Sequence, residues 1–187
     1  KWDGTTWTNL GSGLIGWGGV HALVADGNGN LYAGGMFTNA GGILANGIAK
    51  WDGTTWTNLG SGLMGFNPSV SALVLDGNGN LYAGGTFSNM SGILVDKIAK
   101  WDGTAWTNLG TGISRDWRYN VSSLLLDGNG NLYAGGNFTN AGDKKAIGVA
   151  KWNGITWTNL GSGVGTGWPV RVDSLIMDRN GDLLAGG

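Results

Sequence analysis

Apolar and polar positions along this chain fall into a pattern that returns four times. A short apolar run, Val20-x-x-Leu23-x-x-Asp26, leads into Asp26-Gly27-Asn28-Gly29-Asn30 and then into a second apolar run, Leu31-Tyr32-Ala33-Gly34-Gly35. The same order recurs over 70–85 and 121–136, and in altered form over 172–187, where the turn reads Asp178-Arg179-Asn180-Gly181-Asp182. Two apolar runs around an Asn-Gly turn predict a β-hairpin, because a tight hairpin turn needs positive φ at its central residues.

A second pattern interleaves with the first. Lys1-Trp2-Asp3-Gly4-Thr5-Thr6-Trp7 opens the chain and returns from Lys50, Lys100 and Lys151, in steps of 49, 50 and 51 residues. Each copy reads as a strand, an Asp-Gly-Thr turn and a further strand. One period therefore predicts four short antiparallel strands, near 20–25, 30–37, 47–52 and 55–59. Four strands per period of about 50 residues, without a helix, describe the blade of an all-β propeller. The repeats run over approximately 20–69, 70–120, 121–171, and 172–187 completed by 1–19, so one blade is split between the termini. In the split blade the last hairpin is expected to meet the strands of 1–8. A closed four-bladed ring, an eight-bladed ring of two chains and a section of a longer array all satisfy the pattern. Second and third strands left unpaired at the termini would expose raw sheet edges and drive homo-oligomerisation.

Composition agrees with an all-β chain. Gly supplies 39 of the 187 residues, which signals turns in bulk, yet 41% of the chain is hydrophobic and 11 residues are Trp. That is enough apolar surface to exclude disorder. All acidic residues are Asp, and strong helix formers are scarce. A formal charge of −1 offers no basic footprint for nucleic acid or an anionic membrane surface. No apolar run approaches the length of a membrane-spanning helix, about 18 residues or more. The absence of Cys removes thiolate catalysis and zinc–thiolate sites. The chain opens on Lys1-Trp2 in mid-motif, which reads as a mature product or a section of something longer.

Three segments carry a family resemblance: Phe37-Thr38-Asn39-Ala40-Gly41-Gly42, Ile48-Ala49-Lys50-Trp51-Asp52-Gly53-Thr54-Thr55-Trp56 and Leu59-Gly60-Ser61-Gly62. The pattern resembles the kelch-like propeller repeats of secreted and surface-anchored bacterial proteins, and is similar to those of the fungal cortical polarity-marker family. The resemblance covers every repeat. It implies an extracellular or cell-surface location and a scaffold or adhesion role without a shared catalytic site.

In a propeller the Asp-Gly-Asn-Gly-Asn and Asp-Gly-Thr turns share one face and vary little between repeats. The opposite face carries the variable connectors, over 14–19, 63–69, 113–120 and 164–171, and loops such as 38–47, with Asp143-Lys144-Lys145 replacing the Gly-rich middle in the third. Variable loops on a repeated scaffold are where binding residues gather. Each connector holds a large aromatic three or four residues before the next strand, Trp17, Phe66, Trp117 or Trp168, and Arg115, Arg118 and Arg171 lie nearby as hydrogen-bond donors. These seven residues are the candidate ligand site, for a protein partner or for the face of a sugar ring. Rings folded back to cap their own repeats are the alternative. The strand tryptophans (Trp2, Trp7 and their copies) read as core, with each indole N–H finding a neighbouring carbonyl. His21, the sole histidine, reads as a satisfied core residue. Asp26 reads as a turn residue bonding its own backbone, because a calcium loop would need a Glu that the chain lacks. No catalytic constellation, metal site or cofactor is expected. The function expected is a non-enzymatic extracellular scaffold, with a multivalent carbohydrate-binding propeller next and a polysaccharide-active enzyme a distant third.

Overall fold

The computed structural model describes residues 1–65, 67–114, 116–165 and 170–187, and all regular structure among them is β-strand. Among the described residues no helix is long and apolar enough to cross a membrane. Three four-stranded antiparallel sheets follow one another. The first contains Gly19–Ala25, Leu31–Met36, Ile48–Trp51 and Trp56–Asn58; the second Val70–Leu75, Leu81–Gly85, Ile98–Trp101 and Trp106–Asn108; the third Asn120–Leu126, Leu132–Asn137, Val149–Trp152 and Trp157–Asn159. Within each sheet the strands lie in chain order. All twelve sit within about two residues of the positions expected from the repeat, as boundaries generally do.

The turns that close these strands are local. Asp26 Oδ1 accepts from the backbone N–H of Asn28 and of Asn30, both at 2.9 Å, and Asn30 Nδ2 donates to Oδ2 at 2.6 Å. Asp76, Asp127 and Asp178 repeat the two backbone bonds. In the other turn Asp52 Oδ1 accepts from Thr54 N, Thr54 Oγ1 and Thr55 N, each at 2.8 Å. Asn153 makes the two backbone bonds with a neutral amide oxygen instead.

Consecutive sheets pack face to face through their first strands: Gly19–Ala25 against Val70–Leu75, that strand against Asn120–Leu126, and that one against Ser174–Met177. Val70, Val121 and Val172 are buried at these boundaries. The Ala-Gly-Gly segment on the sheet before accepts them. A Cβ on Gly84 would stand 2.6 Å from Val121 Cγ1, and one on Gly135 would stand 2.7 Å from Val172 Cγ1. Gly34 meets Val70 more closely still. The second glycine answers to its own sheet: a Cβ on Gly35, Gly85 or Gly136 would strike the backbone carbonyl of Gly19, Ser69 or Asn120 beside the register shift in the first strand. Beside each boundary an indole N–H bonds the preceding repeat. Trp56 donates to the Leu10 carbonyl at 2.9 Å, Trp106 to Leu59 at 2.7 Å and Trp157 to Leu109 at 2.8 Å. These three rings are buried, as expected of core tryptophans.

The ends of the row depart from expectation. Ser174–Met177 and Leu183–Gly186 form a two-stranded sheet of their own, and Trp2 and Trp7 form an isolated antiparallel bridge. The two halves of the split unit do not pair with each other, and no closed four-membered ring forms among the described residues. Trp7 is consequently 78% exposed rather than core, and Val20 and Leu23 on the first sheet are exposed where their repeats are buried.

Two measurements check this account. Trp106→Ala is expected to lower stability in urea by about 3–5 kcal/mol, the cost of emptying a buried indole site, whereas Trp7→Ala should stay within about 0.5 kcal/mol as an exposed substitution does. Backbone and Thr hydrogen bonds hold the Asp102 carboxyl down at about 2, with Ala105 N–H the largest cause. The Arg118 side chain does the same to Asp116, also at about 2, and the Asn30 side chain lowers Asp26. Depressed carboxylates stabilise the folded state fully above the unfolded value of about 3.9 and lose that contribution as pH falls through the folded value. The melting temperature should therefore hold from pH 7 to about pH 4 and fall between about pH 4 and pH 2. Asp102→Asn, which gives this turn the neutral amide already found at Asn153, should flatten that acid limb.

Candidate functional site

The variable face is more ordered than a set of loops. Leu14–Ile15 pairs with Asn39–Ala40, which pairs in turn with Ile43–Leu44. Leu63–Met64, Asn89–Met90 and Ile93–Leu94 repeat the arrangement. In the third copy Ile113 bridges Ala141, and Asn140–Ala141 pairs with Lys144–Lys145. Each connector is thus stitched to a hairpin of the repeat that follows, in a small sheet beside the main one. The sequence signal was present in Asn39-Ala40-Gly41-Gly42-Ile43-Leu44, two short strands around a Gly-Gly turn in which both glycines have positive φ.

Two of the connector aromatics, those among the described residues, are exposed. Trp17 is 94% exposed and Trp117 is 71% exposed, so neither ring folds back as a cap on its own repeat. Trp17 forms one wall of a cavity of about 230 Å³ shared between the first two repeats, with Met36, Phe37, Gly47, Leu63 and Pro68 among its other walls. One repeat further on, the place of Gly47 belongs to Lys97, which is buried and keeps the positive φ of the glycine it replaces. Its Nζ donates to the Thr86 carbonyl at 3.3 Å. Burial lowers the Lys97 ammonium from its usual value, and Asp96 and Asp116 act against that shift. Phe66, Arg115 and Trp168 lie outside the described residues.

The two remaining arginines are engaged locally. Arg118 Nε donates to both oxygens of Asp116 at 3.1 Å, and Nη2 reaches Oδ2 at 2.5 Å. Arg171 Nε donates to Asp173 Oδ1 at 2.6 Å. Each is oriented by an acid two residues away, and each keeps further guanidinium N–H groups beyond that contact. His21 also departs from expectation, being exposed rather than core. Its Nε2 lies 3.0 Å from the Gly18 carbonyl and its Nδ1 lies 2.9 Å from Ser69 Oγ. A carbonyl only accepts, so Nε2 carries a proton, and in the neutral ring Nδ1 accepts from the Ser69 hydroxyl. The ring ties the first repeat to the second.

Every resolved shift of an aspartate is downward. A general acid working near neutral pH needs the opposite shift. Groups of three or more His, Cys, Asp or Glu able to hold a metal are absent among the described residues. The arrangement offers contact surface: exposed indoles, short exposed strands and the cavity beside Trp17.

No family model matches the chain, and no curated protein does. Solved structures do. The extracellular domain of the putative one component system BT4673 from B. thetaiotaomicron superposes with a TM-score of 0.57 at 13% identity. That match covers 89% of this chain and 20% of the other. A structure of the extracellular domain of the putative hybrid two component system BT4673 from the same organism gives a TM-score of 0.55 at 13% identity, with the same coverage. The chain thus spans about a fifth of the length of the structures it matches, and the likeness is one of fold.

Proposed function

We propose that the chain is an arc of kelch-like propeller blades serving as a non-enzymatic interaction module outside the cell, and that its variable face carries the binding surface. The observation that carries this reading is the pair of outward indoles, Trp17 and Trp117, on connectors whose backbones are pinned by strand pairing. A rigid mount with an exposed aromatic is the arrangement of an interface anchor, because little side-chain freedom is lost when a partner covers the ring. The four-stranded meanders packed through their first strands support the propeller assignment. The extracellular domains that share the fold support the location.

The cavity beside Trp17 favours a second occupant, a neutral glycan. Its mixed lining and the chain's charge of −1 suit stacking and hydroxyl hydrogen bonds rather than recognition of an ion. Repeated weak sites along one face would then act together through multivalency.

The test is a Trp17→Ala/Trp117→Ala double variant. Its stability in urea should remain within about 1 kcal/mol of the parent, since both rings are exposed. Binding to a panel of immobilised neutral glycans, or to a protein partner captured on the parent chain, should weaken at least about tenfold, or 1.4 kcal/mol. Unchanged binding by the double variant would remove the aromatic face from the proposal. A blank glycan panel at high protein concentration would leave only the protein-binding scaffold.

A further inference from the structure

One space recurs at the boundaries inside the row, and the chain fills it in different ways. The segments Ala45-Asn46-Gly47, Val95-Asp96-Lys97 and Ala146-Ile147-Gly148 hold equivalent places in consecutive repeats. The last residue of each has positive φ, at 83°, 74° and 72° in turn. Between the second and third repeats the Lys97 side chain lies buried in this space. Over Gly148 the space belongs to Val170, whose Cγ1 stands 2.8 Å from where a Cβ would lie. Beside Gly47 the buried Leu63 takes only part of it. A cavity of about 230 Å³ remains open there, between Trp17, Phe37, Asn46, Leu63 and Asn67. An apolar cavity of ~150 Å³ already admits benzene, so this one has room for a group from a ligand.

The residue next to each position follows the chemistry of the filler. Asp96 accompanies the Lys97 ammonium, and Asp116 adds a second negative charge. Ile147 accompanies the aliphatic Val170. Asn46 accompanies the open cavity, which has no charged side chain in its walls. The Asn46 amide is oriented, with Nδ2 donating to the Ser61 carbonyl at 2.9 Å, which leaves Oδ1 to accept. Asn67, a second amide in the walls, is exposed and can both donate and accept.

A backbone bond explains why one filler is charged. Gly18 N–H donates to the Met36 carbonyl at 3.0 Å. Pro68 takes the place of Gly18 in the next repeat and has no N–H to give. There Lys97 Nζ donates to the carbonyl of Thr86, the counterpart of Met36, at 3.3 Å. Lys97 thus supplies a bond that Pro68 withdraws. Beside Gly47 the carbonyl is already served, so an occupant has apolar walls to cover and amides to meet, and no cation to deliver. Trp17 adds an exposed ring to the same cavity. Trp117, with a repeat on either side of it, is exposed as well, so an exposed ring is a property of the connectors.

We propose that the cavity receives the acetamido group of a neutral N-acetylated sugar, with the pyranose ring against Trp17. The proposal rests on the neutral-glycan reading of this cavity and names the class of sugar. The acetyl methyl takes the aliphatic space that the Lys97 chain and Val170 take elsewhere. The acetamido N–H donates to Asn46 Oδ1, and its carbonyl accepts from Asn67 Nδ2. A plain hexose has only a hydroxyl at that carbon, which leaves the apolar walls uncovered.

Calorimetric titration with matched sugars provides the test. The pairs are the β-1,4-linked trisaccharides of N-acetylglucosamine and of glucose, and N-acetylgalactosamine with galactose. In at least one pair the N-acetylated member is expected to bind about tenfold tighter or more. Gly47→Lys with Leu63→Ile copies the Lys97 and Ile113 of the second boundary into the first. It should keep the parent's far-UV spectrum and lose that preference. Asn46→Asp, a residue that Asp96 shows to fit this backbone, decides the matter should the double variant fail to fold. It should weaken the N-acetylglucosamine trisaccharide and strengthen binding of the glucosamine trisaccharide, whose ammonium then meets a carboxylate. Equal binding within both pairs would overturn the proposal and leave the neutral-glycan reading standing, whereas no binding to any sugar would remove both. A preference that survives in the folded double variant, or that Asn46→Asp leaves unchanged, would also overturn it. So would binding of an Nε-acetyl-lysine peptide in place of every sugar, which would give the cavity to a protein ligand.

Discussion

The contact on which the rest of this structure depends sets a branched side chain against a glycine. Val70 needs Gly34, Val121 needs Gly84 and Val172 needs Gly135, and a single added carbon at any of these glycines would collide with the valine. A sheet with apolar residues on both faces has no stable existence alone in water, so each repeat here is completed by its neighbour. The indole bonds from Trp56, Trp106 and Trp157 cross the same boundaries and fix where each sheet sits along the next. Burial supplies the attraction, and the hydrogen bond supplies the register.

From that constraint the two faces of the molecule acquire different freedoms. On one, every turn is satisfied by an Asp or Asn within its own few residues, so nothing elsewhere in the chain has to agree with it. On the other, connector and hairpin belong to different repeats and are joined by strand pairing. Backbone bonds carry that pairing, which leaves the side chains free to differ. Lys144–Lys145 can therefore stand where Ile43–Leu44 and Ile93–Leu94 stand without changing the path of the chain. Lys97 is a stricter case: it keeps the positive φ of Gly47 and Gly148, and the charges of Asp96 and Asp116 counter only part of the cost of its burial.

Much of this is legible in the sequence because it is local. The Val-x-x-Leu-x-x-Asp run, the Asn-Gly turn and the paired tryptophans each specify structure within a span of about ten residues. Repetition at a period near 50 makes their alignment plain. The failure of the last hairpin to meet 1–8 cannot be read there, since the angle between sheets is a property of their packed faces and not of the period. Nor can the exposure of Trp7, which shares its sequence context with the buried Trp56, Trp106 and Trp157. At the candidate site, outward rings at Trp17 and Trp117 agree with the variable position of their loops. Arg118 and Arg171 are held by Asp116 and Asp173, two residues away, a pairing that the repeat pattern does not announce. His21 departs from it because an apolar neighbourhood in sequence is not always an interior one in space.

The self-sufficient aspartate turns also bear on how the chain reaches this structure. A hairpin closed by its own residues forms early and independently, so the chain has four starting points of nearly equal quality. Near-identical starting points create ambiguity, because a second strand from one repeat can accept the third strand of another with the same side-chain match. Steps of 49, 50 and 51 residues and the differing connectors are what distinguish correct from shifted pairings. The variable face therefore serves the nascent chain as well as the finished one: its differences are the addresses by which otherwise interchangeable segments find their own places.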